Sequence, residues 1–197
     1  MASAAPSPPA AGGATIIDGT ATAKEIRAEL AVEVGRLQAE HGVTPGLAVV
    51  LVGERPDSAT YVRMKKKAAA ECCFHSVDIG LPIDVTQEAL LAAVDGLNAD
   101  PKVHGILVQL PLPPHIDEDL VLRRIAVEKD ADGFSALNIG NMCLRGGEAP
   151  LALPCTPAGC IELIKVGVAA APVAGFPCSG WRLTAPASPC HSAQAST

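Results

Sequence analysis

Residues Leu47 to Cys73 read LAVVLVGERPDSATYVRMKKKAAAECC, and the fold of the chain turns on them. Leu47 to Val52 is a short apolar run stopped by Gly53 and followed by Pro56-Asp57, the pattern of a buried strand and a turn. A helix is expected next, capped by Asp57 or Ser58. At about 100° per residue, Tyr61, Val62, Met64, Ala68, Ala69, Cys72 and Cys73 share one apolar arc, with Arg63, Lys66, Lys67 and Glu71 outside it. Lys65 falls inside that arc, one turn after Tyr61 and two after Ser58, so these polar groups point the same way. Two readings stand. Its stem can lie on apolar surface with the amine reaching water. Alternatively, an amine held against such a surface gives up its proton more readily than one in water, and serves as a base oriented by the Tyr61 hydroxyl.

Around this unit the pattern repeats. Upstream, Thr15 to Asp18 reads as extended and ends at Gly19. A helix then runs to His41-Gly42, with Thr22 and Glu25 at capping-box spacing, Ile26, Leu30, Val34 and Leu37 as its buried stripe, and Gly42 as its stop. Downstream, Val77, Ile79 and Leu81 alternate as a half-buried strand, and Thr86 caps a helix that turns Leu90, Leu91, Val94 and Leu97 inward.

His104 to Leu110, HGILVQL, is nearly continuous in apolar residues, as in a central parallel strand, with Gln109 near its carboxyl end. Pro111, Pro113 and Pro114 break it. Gln109 either bonds a neighbouring loop or belongs to a site, and ligands of open parallel sheets bind beyond the carboxyl ends of strands. Asp117 to Ala126 reads as a helix with Leu120, Val121 and Ile125 inward. Lys129 to Gly133 reads as an Asx-type turn around Asp132, and Thr156-Pro157 as the start of a last helix running to Lys165.

The fold class expected is α/β: an open, mainly parallel sheet with helices on both faces, spanning residues 15–165. An irregular tail follows. The 197 residues are 49% hydrophobic, enough for one core. A net charge of −6 and an aromatic content of 3% argue against nucleic acid. The seven cysteines form no C-x-x-C pair and no zinc spacing, which points to a reduced, intracellular protein without a metal. No apolar run is long enough for a membrane span, and no arginine precedes Arg27, as a transit peptide would require; the cytosol is the expected location. Residues 1–14 are Ala, Ser, Pro and Gly with no charged side chain, the composition of a disordered tail.

Five motifs, DGTATAKEIRAEL, VGERPDSATYVRMKKKA, VHGILVQLPLPPHI, EKDADGF and LPCTPAGCIELI, stand in this order from Asp18 to Ile164. Together they resemble the bifunctional methylenetetrahydrofolate dehydrogenase/methenyltetrahydrofolate cyclohydrolase family, in the form found in plant cytosol. The resemblance covers about Thr15 to Lys165. It implies a folate-binding catalytic domain in which Lys65, Tyr61, Gln109 and Asp132 are catalytic. Ser58, Val108, Leu110 and Pro111 join these four in holding the tetrahydrofolate substrate. It also implies NADP as hydride acceptor, a homodimer, oxidation of the methylene bridge and addition of water to give the 10-formyl product. A carboxylate such as Asp132 can accept the pterin amino group and the adjacent ring N–H as a pair, and Tyr61 can lie against the ring. The methenyl intermediate is a cation, which favours the neutral form of an amine such as Lys65 beside it, and Gln109 would hold that amine.

Members of that family continue after this helix into a dinucleotide-binding domain with a Gly-Arg-Ser and Val-Gly-x-Pro phosphate loop. In this chain Val166 to Thr197 is instead rich in Ala, Pro and Ser, and no G-x-G-x-x-G loop follows a strand. The expectation is a folate-side domain with the NADP-binding domain replaced by a disordered tail, and hydride transfer lost. Two other readings remain open: a catalytically silent fragment that pairs with full-length subunits, and a short-chain dehydrogenase, whose Tyr-x-x-x-Lys spacing Tyr61 and Lys65 also match.

Overall fold

In the computed structural model the described residues are 16–145 and 148–170. The expectations for residues 1–14 and most of 166–197 lie outside them. The middle of the fold is β1, Gly46–Val52, which pairs in parallel with β2, His75–Leu81, on one side and with β3, Gly105–Val108, on the other. Val50 is level with Ile79 and with Val108. All three strands run the same way, so each connection crosses over through a helix. These are α2, Pro56–Glu71, between β1 and β2, and α3, Gln87–Ala99, between β2 and β3.

The alternation along β1 divides the core. Ala48, Val50 and Val52 join Ile106 and Val108 of β3, Leu90, Val94 and Leu97 of α3, and Val121 and Ile125 in the larger cluster. Val49 faces the other way and packs with Leu107 and with Val62 of α2. Val121 belongs to α4, Glu118–Arg124, whose N-terminus is capped by Asp117 and whose Arg124 is paired with Asp95 of α3. The long first helix α1, Gly19–His41, lies against α2, and the last, α6, Cys155–Ala170, touches α1. Helices therefore cover both faces of the sheet.

Several boundaries differ from those the sequence suggests. Helix α1 starts at Gly19 because Asp18, not Thr22, is its cap: the Asp18 carboxylate accepts the N–H groups of Thr20 and Ala21 at 2.9 and 3.1 Å. Thr22 sits one turn in and donates its hydroxyl to the Asp18 carbonyl. Helix α2 has no side-chain cap; Pro56 opens it, and Asp57 instead bonds Arg55 and the Ser58 N–H. Tyr61, Met64 and Cys73 are exposed, and so is Leu30, expected in the buried stripe of α1, because the two helices cover only part of each other's apolar arcs. In α4 the inward residue beside Val121 is Leu122, while Leu120 is exposed. Helix α5, Ala136–Cys143, was not anticipated, and α6 begins at Cys155 and runs past Lys165 to Ala170. Gly42 stops α1 as expected, at φ 67°.

Gly46 shows how closely the layers approach: a Cβ there would lie 1.9 Å from the Lys102 carbonyl oxygen. Leu90 is fully buried between sheet and α4. Leu90→Ala should cost about 2–5 kcal/mol of stability through lost burial and the cavity left behind, read as a lower urea midpoint with an unchanged slope. A loss below about 0.5 kcal/mol would contradict this packing.

Candidate functional site

The carboxyl ends of β1 and β3 bring the chemistry together. The Gln109 N–H donates to the Val50 carbonyl at 2.8 Å, so the residue directly after β3 is fixed to the central strand by its own backbone. Its side chain is then held at both ends. Nε2 donates to the Leu110 carbonyl at 2.8 Å, which leaves Oε1 to accept from the Lys65 amine at 3.1 Å. The Leu110-Pro111 bond that follows is cis.

Lys65 and Tyr61, one turn apart on α2, line a cavity of about 780 Å³ together with Asp132. Its floor is Leu47, Leu107, Ala68 and Ala69, which makes the interior chiefly apolar. Phe134 and Pro154 to Pro157 form the facing wall. Tyr61 is 62% exposed and stands at the mouth, whereas Lys65 is half-buried.

Asp132 rides on a short turn beyond a single 3-10 turn at Val127–Lys129. The turn is docked to β3 by the Ala131 N–H, which donates to the Ile106 carbonyl, and is closed by the Gly133 N–H on the Asp130 carbonyl at 3.2 Å. Gly133 takes φ 67°, and a Cβ there would meet the Ala152 carbonyl oxygen at 2.9 Å, so both the backbone and the space call for glycine. Burial pushes the Asp132 carboxyl above the ordinary carboxylate range; the Lys65 amine opposes this and the nearby Asp130 carboxylate adds to it. The expected Asx-type turn is thus a turn in which Asp130 makes the structural bonds and Asp132 is left for the cavity.

Of the residues singled out from sequence, Lys65, Tyr61, Gln109 and Asp132 come together. The others divide. Ser58 is buried at the start of α2 and does not line this cavity; Val108 belongs to the larger core cluster. Leu110 meets the site through its carbonyl alone, with its side chain against the core, and Pro111 lines a separate hollow with Arg55 and His115. The wall formed by Phe134 and Pro154 to Pro157 was missed. The only signal for it was the T-P helix start, which fixes an element but not what that element faces.

Among the described residues no group of three or more His, Cys, Asp or Glu is placed to hold a metal ion, and no helix is long and apolar enough to cross a membrane. The N-termini of the helices that follow strands do not suit a pyrophosphate. That of α2 carries Pro56 and the acidic Asp57, and that of α3 is closed by the Thr86 hydroxyl on the Ala89 N–H. Neither has a glycine-rich turn with free amides. The N-terminus of α4, which follows β3, is closed by the Asp117 carboxylate on the Leu120 N–H, so none of these three helix N-termini fits the pyrophosphate of NADP.

The family model described as tetrahydrofolate dehydrogenase/cyclohydrolase, catalytic domain, matches residues 17–132. Bifunctional protein FolD 4, chloroplastic, of Arabidopsis thaliana is 56% identical over 153 residues, which are 78% of this chain and 42% of that protein. Bifunctional protein FolD 2 of the same plant is 56% identical over 151 residues, 77% of this chain and 50% of that protein. The solved structure of Trypanosoma brucei N5,N10-methylenetetrahydrofolate dehydrogenase-cyclohydrolase, complexed with NADP cofactor and inhibitor, has 46% identity and a TM-score of 0.75 over 78% of this chain and 52% of that one. The chain spans about half the length of the curated relatives it matches.

The raised Asp132 carboxyl carries a stability signature. A carboxyl whose folded value lies above its unfolded value takes up protons on folding, so its ionisation weakens the fold as pH rises through the ordinary carboxylate range towards the raised value. Asp132→Asn should therefore be more stable than the parent near neutral pH, and the gain should vanish as pH falls below that range. Urea midpoints of the two chains at neutral and acid pH check this; an Asn chain less stable than the parent at neutral pH would overturn it.

Proposed function

The chain belongs to the tetrahydrofolate dehydrogenase/cyclohydrolase family, and on that premise we propose that its described residues form the folate side of the reaction centre and carry the water-addition step from 5,10-methenyltetrahydrofolate to 10-formyltetrahydrofolate. The observation that carries this reading is the Lys65 amine bonded at 3.1 Å to Gln109, in reach of an apolar cavity that also takes in Tyr61 and Asp132.

Each group has a task in that step. Asp132, whose ionisation is resisted by burial, gains a partner when it accepts the pterin amino group and adjacent ring N–H as a pair. Tyr61 at the mouth lies against the ring system beyond the pterin. That leaves the one-carbon bridge near Lys65, where a neutral amine takes a proton from water as the oxygen adds to the cationic methenyl carbon; the carbon–N5 bond then breaks as the ammonium returns that proton to N5 and the hydroxyl proton leaves to solvent, so that the formyl group stays on N10. The bond from Gln109 fixes the amine in direction, which is worth more here than added basicity because the water must approach one face of the bridge. The first reading of Lys65, a stem lying on apolar surface with its amine in water, does not account for the bond to Gln109.

Oxidation of the methylene bridge in the family uses NADP, whose pyrophosphate the three helix N-termini do not fit; hydride transfer is not assigned to the described residues. A homodimer and a cytosolic location belong to the same proposal. The first is extended from the resemblance. The second is likewise extended from the resemblance, and the relatives' names include chloroplastic and mitochondrial forms. The short-chain dehydrogenase reading loses its footing, because β1 leads directly into α2 and no described glycine-rich nucleotide loop precedes Tyr61.

The test compares neighbouring lysines. Lys66 forms a surface pair with Asp78 at 3.0 Å, an interaction of about 0–1 kcal/mol, so Lys66→Met controls for the loss of a charge. Lys65→Met should slow methenyltetrahydrofolate hydrolysis by roughly 10²-fold or more while Lys66→Met leaves it nearly unchanged. Lys65→Arg should also fail, since a guanidinium stays protonated. Loss of the methenyl absorbance with time gives the rate. Equal rates for the two methionine chains would remove Lys65 from the mechanism, and a parent chain that binds the folate without hydrolysing it would favour the silent-fragment reading.

A further inference from the structure

Behind the cavity lies a buried polar cluster that none of the assigned roles uses. Asp130 and Asn138 are 6% and 2% exposed, and with Ser58 they are the buried polar residues among those described. The Asp130 carboxylate oxygen Oδ2 accepts the Ser135 N–H at 2.7 Å and the Asn138 amide Nδ2 at 3.0 Å. The opposite end of the same amide, Oδ1, accepts the Leu151 N–H at 3.0 Å. The Asn138 N–H donates in turn to the Ser135 hydroxyl that caps α5. Every polar end of the Asn138 side chain that bonds here is committed, one to each side.

The two sides are neighbouring parts of the cavity lining, packed against each other at Gly133. Asp130 closes the turn that carries Asp132, and Leu151 begins the segment that crosses Gly133 and becomes the wall at Pro154 to Pro157. We propose that Asn138 is a positioning residue for the folate site: a single amide that ties the Asp132 turn to the Leu151–Pro157 segment packed against it, and so fixes the seat of the Asp132 carboxylate that receives the pterin. This rests on the folate reading of the site.

Only a side chain with a donor and an acceptor on one short planar group can do this. Aspartate at 138 would keep the acceptor for Leu151 but set a carboxylate against Asp130, and like charges in a dry site repel strongly. The repulsion loosens the Asp132 turn from the segment that begins at Leu151 without touching Lys65, Gln109 or Tyr61. Loss of affinity should then exceed loss of turnover.

The experiment uses 5,10-methenyltetrahydrofolate with the parent chain and the variants Asn138→Asp, Asp130→Asn, the double exchange Asp130→Asn/Asn138→Asp, and Asp132→Asn. Binding is measured by titration, and hydrolysis at saturating substrate by absorbance. Asn138→Asp should weaken binding by roughly tenfold or more while lowering the saturated rate far less. The double exchange restores a donor facing an acceptor between residues 130 and 138 but leaves the Ser135 N–H without its carboxylate acceptor, and should recover part of the affinity. Amide exchange at Gly133 and Leu151 should speed up in Asn138→Asp and slow again in the double exchange, a readout that needs no activity. Unchanged affinity of a folded Asn138→Asp chain, with Asp132→Asn weakened, would overturn the positioning role and leave the folate reading standing. Full affinity in Asp132→Asn would overturn the folate reading and this role with it. If Asn138→Asp fails to fold, the double exchange and the Asp130→Asn chain decide: equal affinity in both overturns the proposal.

Discussion

The constraint on which the rest depends is that β1 is buried on both faces and hydrogen-bonded on both edges. Ala48 and Val50 are fully buried towards α3, and Val49 is nearly so towards α2. Such a strand has no polar face to turn to water, so helices must cover it above and below, and parallel neighbours supply both ladders. Parallel pairing forces crossovers, and crossovers put every strand's carboxyl end at the same edge of the sheet. Gln109, the start of α2 and the Asp132 turn arrive at that edge for this reason before any ligand is considered.

Reaction chemistry is then placed on rigid elements. Lys65 is on a helix packed to the sheet through Val62, and Gln109 is held by a backbone bond to Val50. Asp132 is the exception, because it stands on a turn. The turn is stiffened by the Ala131 N–H on the Ile106 carbonyl, the Gly133 N–H on the Asp130 carbonyl, and the Ser135 N–H and Asn138 amide on the Asp130 carboxylate, while Lys129 beside it donates its amine to the carbonyls of Leu97, Asn98 and Asp100 at the end of α3. A buried acid is expensive to ionise, and a rigid turn prevents it from relieving that cost by moving to water. The turn thus keeps a buried acid in place at the cavity.

What the sequence made legible follows local rules. Short apolar runs ended by glycine or proline marked β1 and β3, and the Thr86 cap and spacing of Leu90, Val94 and Leu97 marked α3. Lys65 stood out because it broke its own helix's pattern. Errors arose where two local candidates competed or where tertiary contacts decided. Asp18 outcompetes Thr22 as the cap of α1 because its carboxylate reaches two N–H groups. Helix α5 went unseen because Asn138, Gly140 and Asn141 are weak helix formers, and it is held by the Ser135 cap and by Asn138's buried bonds rather than by propensity. Ser58 and Val108 neighbour the site in sequence but point into the packing. Nothing in the letters around Asn138 says that its partners lie eight residues before and thirteen after it.

Helix α6 has a mechanical consequence. It begins in the cavity wall at Cys155 and continues without interruption to Ala170, a rod of about 24 Å at 1.5 Å per residue. A rod converts rotation into displacement: tilting it by about 5° around its far end shifts its first turn by about 2 Å. Reacting groups tolerate little misplacement, with about 1 Å enough to cost two orders of magnitude in rate. The wall at Pro154 to Pro157 is therefore the moving end of a rod pivoted well away from the cavity, and the aperture of the cavity is tied to whatever orients residues 166–170.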